Sequence, residues 1–331
     1  MLLTLTKPRA HWLASSTNHP KMKNSISVLA ILLLLSCSTK QSDQSNETQL
    51  GPEPEAYSFS GKPLLTKSAD SVSLSKSDSL VAAVRSKSEL SEVDYIDMGR
   101  SLVNTFRYKK AIENYSEGIA KFPYSFRLLR HRGHRYLNVR QLDKAIADLN
   151  KAEELIRSQS DVFEYDAAGK PGATYQHQIW YHIGLYHFFK KDYSSCATAF
   201  EKSLATAKAG NDIAGSSDWL YNAYLRTGQK EKAIAVLQPF TPDFAIDDKG
   251  YPYFRRLLFY KGLITPEELI DINKPIGDLS IAELTKLCGL ANYYAYNGDQ
   301  DAANIFYKKI LDSGEWAGWA YASAELDARN D

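Results

Sequence analysis

The sequence predicts an all-α protein, an α-solenoid of stacked helical hairpins closed by a C-terminal capping helix. Three observations predict it. A set of landmark residues recurs every 34 residues from about position 92, and that period belongs to two-helix repeat units. Inside the units, small and large apolar residues fall at i, i+4 and i+7, which is one stripe of one helix. Capping signals stand where helices must begin: Thr265-Pro266-Glu267-Glu268 and Ser280-Ile281-Ala282-Glu283 each set a hydroxyl three positions ahead of a glutamate.

Composition bounds the function. The 331 residues are 44% apolar and 24% charged, enough apolar material for a substantial core. With 40 basic and 39 acidic side chains the net charge is +1, so there is no global positive field and no expectation of a nucleic-acid partner. Three cysteines in this length exclude a disulfide framework.

Taken from the N-terminus, residues 1–36 are expected to be an upstream extension and a signal peptide. Met22-Lys23-Asn24 supplies a basic start, and Ile26 to Leu35 is a short apolar run closed by Ser36-Cys37. Such a run is too short to cross roughly 30 Å of hydrocarbon and fits a cleaved leader. The residues before Met22, including Pro8, Arg9 and His11, are expected to reflect an upstream choice of start codon. Leu34-Leu35-Ser36-Cys37 resembles the lipobox of bacterial lipoproteins. The resemblance implies that Cys37 becomes the first mature residue, with a diacylglyceryl thioether on sulfur and a third chain on its amine. Two or more such chains anchor stably, since each buried methylene contributes roughly 0.8 kcal/mol.

Residues 37–91 are rich in Ser, Lys, Asp, Glu, Gln and Thr and are expected to form a flexible, solvated tether. Asp70-Ser71-Val72 and Asp78-Ser79-Leu80 resemble a short O-glycosylation acceptor pattern, one that chance supplies readily in a Ser-rich stretch.

Residues 92–331 carry the repeats. The first unit has Tyr95, Met98-Gly99, Leu102, Ala111, Tyr115, Gly118 and Pro123; the second has Leu129, Arg132-Gly133, Tyr136, Ala145, Leu149 and Ala152. After an insertion of about half a period the third unit shows Trp180, Ile183-Gly184, His187, Cys196, Phe200 and Ser203. A fourth has Leu220-Tyr221, Tyr224, Ala233 and Leu237, and a late one Leu287, Leu290-Ala291, Tyr294, Ala303 and Tyr307. Gly228 and Gly298 fall at their inter-helix turns, where a left-handed C-cap favours glycine. These last two units stand about two periods apart, which leaves room for one degenerate hairpin between them. It is expected to have a helix over Tyr253–Tyr260 and another starting at Thr265. Glu315 to Leu326 is expected to be a terminal helix capping the stack.

These landmarks resemble the tetratricopeptide repeat. Arg132-Gly133-His134-Arg135-Tyr136, Ile179-Trp180-Tyr181-His182-Ile183-Gly184, Asp218-Trp219-Leu220-Tyr221 and the ending from Ser313 to Glu325 are similar to a family of bacterial tetratricopeptide lipoproteins with no established biochemical activity. The resemblance covers roughly residues 92 to 330 and implies a partner in the groove lined by the first helix of each unit. By repeat register that groove carries Arg100 and Asn104, then Arg127, Arg130, His134 and Asn138, then Tyr181, then Asp218, Asn222 and Arg226. Arginine pairs bidentately with carboxylates, so an acidic peptide segment or an anionic envelope component is the expected ligand. The carboxylate clamp of chaperone-binding members is not reproduced, because Ile96 stands at its first lysine.

No catalytic motif is present: no Gly-x-Ser-x-Gly, no His-Glu-x-x-His, no phosphate loop, no calcium loop. His177, His182 and His187 recur at intervals of five, which scatters them around a helix. His131 and His134 share a face but lack further ligands for a zinc site, so neither metal nor cofactor is expected. Cys196 and Cys288 sit at small-residue positions and are expected to be buried. The expected function is a non-enzymatic protein-interaction module or scaffold, tethered by Cys37 to the outer membrane and facing the periplasm. The alternatives are an accessory lipoprotein of outer-membrane protein assembly, or a glycan or small-ligand capture protein prompted by Trp180, Tyr181, Tyr293, Tyr294 and Tyr296.

Overall fold

A computed structural model describes residues 53–66, 69–160, 162–165, 169–248 and 250–328, all within the unit Leu50–Asp331. The leader around Met22 and Cys37 lie outside the described residues. The chain begins with a short antiparallel hairpin, β1 (Ala56–Tyr57) with β2 (Pro63–Leu64), followed by α1 (Ser71–Arg85). The first two repeat units are α2 (Glu92–Asn104) with α3 (Tyr108–Lys121) and α4 (Phe126–Asn138) with α5 (Leu142–Ile156). A second hairpin, β3 (Phe163–Tyr165) with β4 (Pro171–Thr174), forms the insertion. Then come α6 (Tyr175–Phe189) with α7 (Tyr193–Ala205), and α8 (Gly210–Arg226) with α9 (Lys230–Leu237). The degenerate unit is α10 (Pro252–Tyr260) with α11 (Pro266–Leu269), and the last is α12 (Ile281–Tyr296) with α13 (Gln300–Asp312), capped by α14 (Trp319–Asp327). The fold is an all-α solenoid of stacked hairpins.

The repeated glycines set how closely paired helices approach. A Cβ on Gly99 would stand 2.2 Å from the ring of Tyr115, one on Gly133 would stand 2.9 Å from Leu149, and one on Gly184 would stand 2.6 Å from Phe200. All three partners lie on the second helix of the hairpin, at one constant spacing from the glycine. Tyr115 and Phe200 are at most 1% exposed, and burying a side chain of this size contributes about 1.5–3 kcal/mol. Gly228 and Gly298 take positive φ, as expected, but Phe106, Arg140 and Lys191 do the same in the three earlier turns.

Both capping boxes form. The Thr265 and Ser280 side chains accept from the backbone N–H of Glu268 and Glu283, whose carboxylates accept from the cap N–H in return.

One expected boundary is corrected. The described residues of 53–90 are not a free tether, because β1–β2 and α1 fold onto the solenoid. Asp70 is the N-cap of α1, accepting from the Ser73 N–H. Ser77 is buried, donating to the Ser101 carbonyl and accepting from Arg107. Val81 and Val84 pack against the Tyr95 cluster, so hydroxyl hydrogen bonds and a small apolar contact hold this interface together. Ala56 and Leu64 belong to the main core.

Candidate binding cleft

The helices expected to line an open groove are largely covered by the chain itself. Beyond α13 the chain turns inward at Trp316, and α14 packs on α12, α13 and α6. Asn138 donates to the Ala317 carbonyl at 2.8 Å. Arg226 makes a two-point ion pair with Asp327, at 2.9 Å and 2.5 Å, beneath the rings of Phe188 and Tyr193. The His134 ring lies 4.1 Å from that of His182 and 5.3 Å from that of Trp319. Burial first, then the Arg135 charge, holds the His134 imidazole well below its usual range.

Asp218 and Asn222 are enclosed from another direction, by α10 and α12. Asp218 is fully buried against Arg256 at 3.0 Å, and burial pushes its carboxyl up to about 7 against the pull of Arg256. Asn222 donates to the Asp218 carbonyl and accepts from Asn292. Tyr181 accepts from the Trp219 indole at 2.8 Å. The expectation of an open basic groove is therefore corrected for His134, Asn138, Tyr181, Asp218, Asn222 and Arg226: all six face neighbouring elements of this chain.

Arg100, Asn104 and Arg127 remain at an open surface, whereas the expectation is corrected for Arg130 too, which is only 5% exposed and packs against Glu164 and Gln178. Arg127 donates to Glu92 at 3.1 Å and lies over the Phe126 ring. Arg100 and the exposed Asn104 line a cleft of about 810 Å³ bounded by α2, the β3–β4 hairpin, Gln178 of α6 and the start of α8.

At one end of the cleft lies Glu164. It sits at the irregularity in the β3–β4 pairing, between Phe163 and Tyr165, and bulges of this kind re-aim a side chain. Its carboxylate takes Arg100 Nη2, approaches Arg130 at 3.3 Å and 3.4 Å, and lies 3.3 Å from His131 Nε2. Arg130 also donates to Gln178 Oε1 at 2.6 Å and to His131 Nδ1 at 3.2 Å, which makes Nδ1 an acceptor and puts the His131 proton on Nε2. Burial first, then Arg130, lowers His131 to about 4. Burial pushes the Glu164 carboxyl up, yet Arg130, His131 and Arg100 together hold it far below the usual carboxylate range.

The other end is acidic. Asp212 Oδ1 lies 3.7 Å from His177 Nε2, while His177 Nδ1 lies 3.0 Å from the Ser203 carbonyl. Asp212 Oδ2 and Asn211 Oδ1 are buried without hydrogen-bond partners among the described residues, and Asp247 stands beside them on the α9–α10 connection. Burial pushes the Asp212 carboxyl up, against the opposing charge of His177. The cleft can bind through polar groups of both signs. Among the described residues no three His, Cys, Asp or Glu converge as a metal site.

Repeat register does not reveal Glu164, Gln178, Asn211, Asp212 or Asp247 as cleft residues. The signal that could have found Glu164 is the break in the period ahead of the third unit, since an insertion between two repeats must lie on the solenoid surface and can fold over a neighbouring helix.

No protein-family model matches the chain, and no curated protein matches its sequence. Solved structures do resemble it. A tetratricopeptide repeat protein from Parabacteroides merdae is 15% identical with a TM-score of 0.47, covering 76% of this chain and 92% of that one. The MamA protein is 17% identical with a TM-score of 0.38, covering 68% and 92%. The tetratricopeptide domain of P58(IPK) is 18% identical with a TM-score of 0.23, covering 73% and 69%. At these identities and scores the likenesses do not extend to ligand or role.

Proposed function

We propose that the chain is a non-enzymatic protein-interaction module whose partner enters as an extended segment between α2, the β3–β4 hairpin and α8. The observation that carries this reading is the open cleft itself, where Arg100, Asn104 and Gln178 share one lining with Asn211, Asp212 and Asp247. A lining with donors and acceptors of both signs suits an extended chain, whose backbone carries one N–H donor and one C=O acceptor per residue.

A photocrosslinker at Asn104 tests the reading, with one at the exposed Lys151 on α5 as control. A discrete protein adduct is expected at Asn104 only, and it should vanish when Ala173→Trp fills the cleft. Equal capture from Lys151, or capture indifferent to Ala173→Trp, would overturn it.

The module is held at a membrane through acyl chains on Cys37, in this proposal at the outer membrane facing the periplasm. The apolar run Ile26 to Leu35 and the Leu34-Leu35-Ser36-Cys37 sequence support that placement. Metabolic labelling with palmitate should mark the wild type and not Cys37→Ser, and labelling that survives the substitution would remove the anchor from the proposal.

A further inference from the structure

We infer that Arg100, Arg130, His131 and Gln178 form a carboxylate-binding site that the chain's own Glu164 fills at rest, and that an acidic side chain of the partner occupies it by displacing Glu164. The inference rests on the proposed seating of the partner in this cleft and names the chemistry recognised there.

Glu164 is an imperfect occupant. Charge-assisted N–H···O bonds run at about 2.7–2.9 Å, and Arg100 comes at least that close, but both Arg130 contacts are at 3.3–3.4 Å. Arg130 Nε is buried with no hydrogen-bond partner among the described residues. His131 Nε2 lies 3.3 Å from the carboxylate without hydrogen-bond geometry. The two side chains are only 6% and 4% exposed, so their unused donors cannot turn to water. Asp97, 45% exposed, lies 3.7 Å from Arg100 Nη1, which also donates to the Tyr165 carbonyl at 3.3 Å, and Nη2 is left to Glu164. A tether explains the misfit. Glu164 reaches the nest from a strand fixed by its pairing with β4 and by the bond from the Val162 N–H to Gln176, whereas an untethered carboxylate can align with both guanidinium forks.

Access and dispensability complete the case. Arg100, Glu164 and Gln178 all line the open cleft. Glu164 belongs to the insertion, and the spacing from glycine to packing partner that builds the solenoid is the same on either side of it. Glu164 competes as an intramolecular ligand for the donors that an external carboxylate needs, and removing it should strengthen an external acidic ligand by about tenfold.

The test uses the full chain with acetate and with the peptide acetyl-Glu-Glu-Asp-Glu-amide as probes. In Glu164→Ala, acetate should raise the melting temperature above that in chloride at equal ionic strength. It should do so neither in wild type nor in Arg130→Met, Glu164→Ala. The peptide should bind Glu164→Ala about tenfold more tightly than wild type, and the double variant no better than wild type. If Glu164→Ala loses its helical circular dichroism, the isosteric Glu164→Gln takes its place in the peptide titration. Acetate and chloride acting alike on folded Glu164→Ala, with no gain in peptide affinity, would overturn the inference. An Asn104 adduct that persists undiminished in Arg130→Met, Glu164→Ala would also overturn it while leaving the cleft reading intact. No adduct in wild type, with acetate rescue present, would remove the cleft partner and keep the carboxylate site.

Discussion

Arg140 and Glu325 stand 185 residues apart in sequence and form a two-point ion pair, at 3.1 Å and 3.3 Å, with side chains only 3% and 6% exposed. Arg140 holds a left-handed backbone conformation in the α4–α5 turn. From there its guanidinium also donates to the Asn138 and Trp316 carbonyls and lies over the Phe59 ring. One residue thus joins a repeat turn, the N-terminal hairpin and the C-terminal cap.

Breaking that pair from one side should be costly. Arg140→Met leaves the Glu325 carboxylate buried without its partner and is expected to lose about 3–5 kcal/mol in urea unfolding. Arg140→Met with Glu325→Leu should recover part of the loss, because an apolar pair of similar volume leaves no unpaired charge while the Asn138 and Trp316 carbonyls still lack their donor. If the two single losses simply add in the double variant, the residues do not act on each other.

Acid should destabilise the protein through its buried histidines. The His134 and His182 imidazoles are held well below their ordinary range by burial first and by neighbouring arginines second. The unfolded chain takes up their protons near pH 6.5 while the folded chain stays neutral, so stability is full above that pH and falls below it. Each group contributes a slope of about 1.4 kcal/mol per pH unit in that window. Asp218, raised by burial to about 7, works in the opposite sense. The measurement is therefore the difference between wild type and His134→Leu, His182→Leu, each scaled to its own stability at pH 8. The variant should lose less between pH 6.5 and 4.5, and identical slopes would show that these rings are already protonated in the folded state.

The close approach of α6 and α7 makes Gly184 intolerant of any side chain. A Cβ there would stand 2.6–2.8 Å from three atoms of the Phe200 ring, and overpacking of this kind costs about 1–3 kcal/mol. Gly184→Ala should lower the melting temperature, and adding Phe200→Leu should restore part of it. A neutral Gly184→Ala would mean that the helices separate freely at this crossing.

Stacking, not any single hairpin, is expected to stabilise the helices. A fragment of residues 92–160 holds two units and exposes the apolar stripe of the second, so it should show no cooperative thermal transition. A sharp melt from that fragment would locate the cooperative unit inside two hairpins.

What the sequence revealed and what it hid have separate physical causes. Gly99 with Tyr115, Gly133 with Leu149 and Gly184 with Phe200 are local signals at a constant spacing, so the helical pairs and both capping boxes were legible. The first helix was not: α1 meets the solenoid through Ser77, Ser101 and Arg107, and a serine-rich segment scored by its apolar content resembles solvated chain. Register placed Asn138 and Arg226 on the correct helices but could not show that Ala317 and Asp327 cover them. Pairings such as Arg100 with Glu164 or Arg226 with Asp327 span 64 and 101 residues, distances over which no sequence period relates the partners.

The bond from Trp316 Nε1 to the Leu65 carbonyl, at 2.9 Å, has a mechanical consequence. Helical-repeat stacks behave as springs, lengthening when their first and last turns are drawn apart. Here a pull delivered through the residues ahead of Glu53 enters at β1–β2, where Leu65 and Phe59 bear directly on Trp316 and Arg140. The load meets the bond between Leu65 and Trp316 before it can peel the first helix away, so a pull at that point should leave the coil unextended.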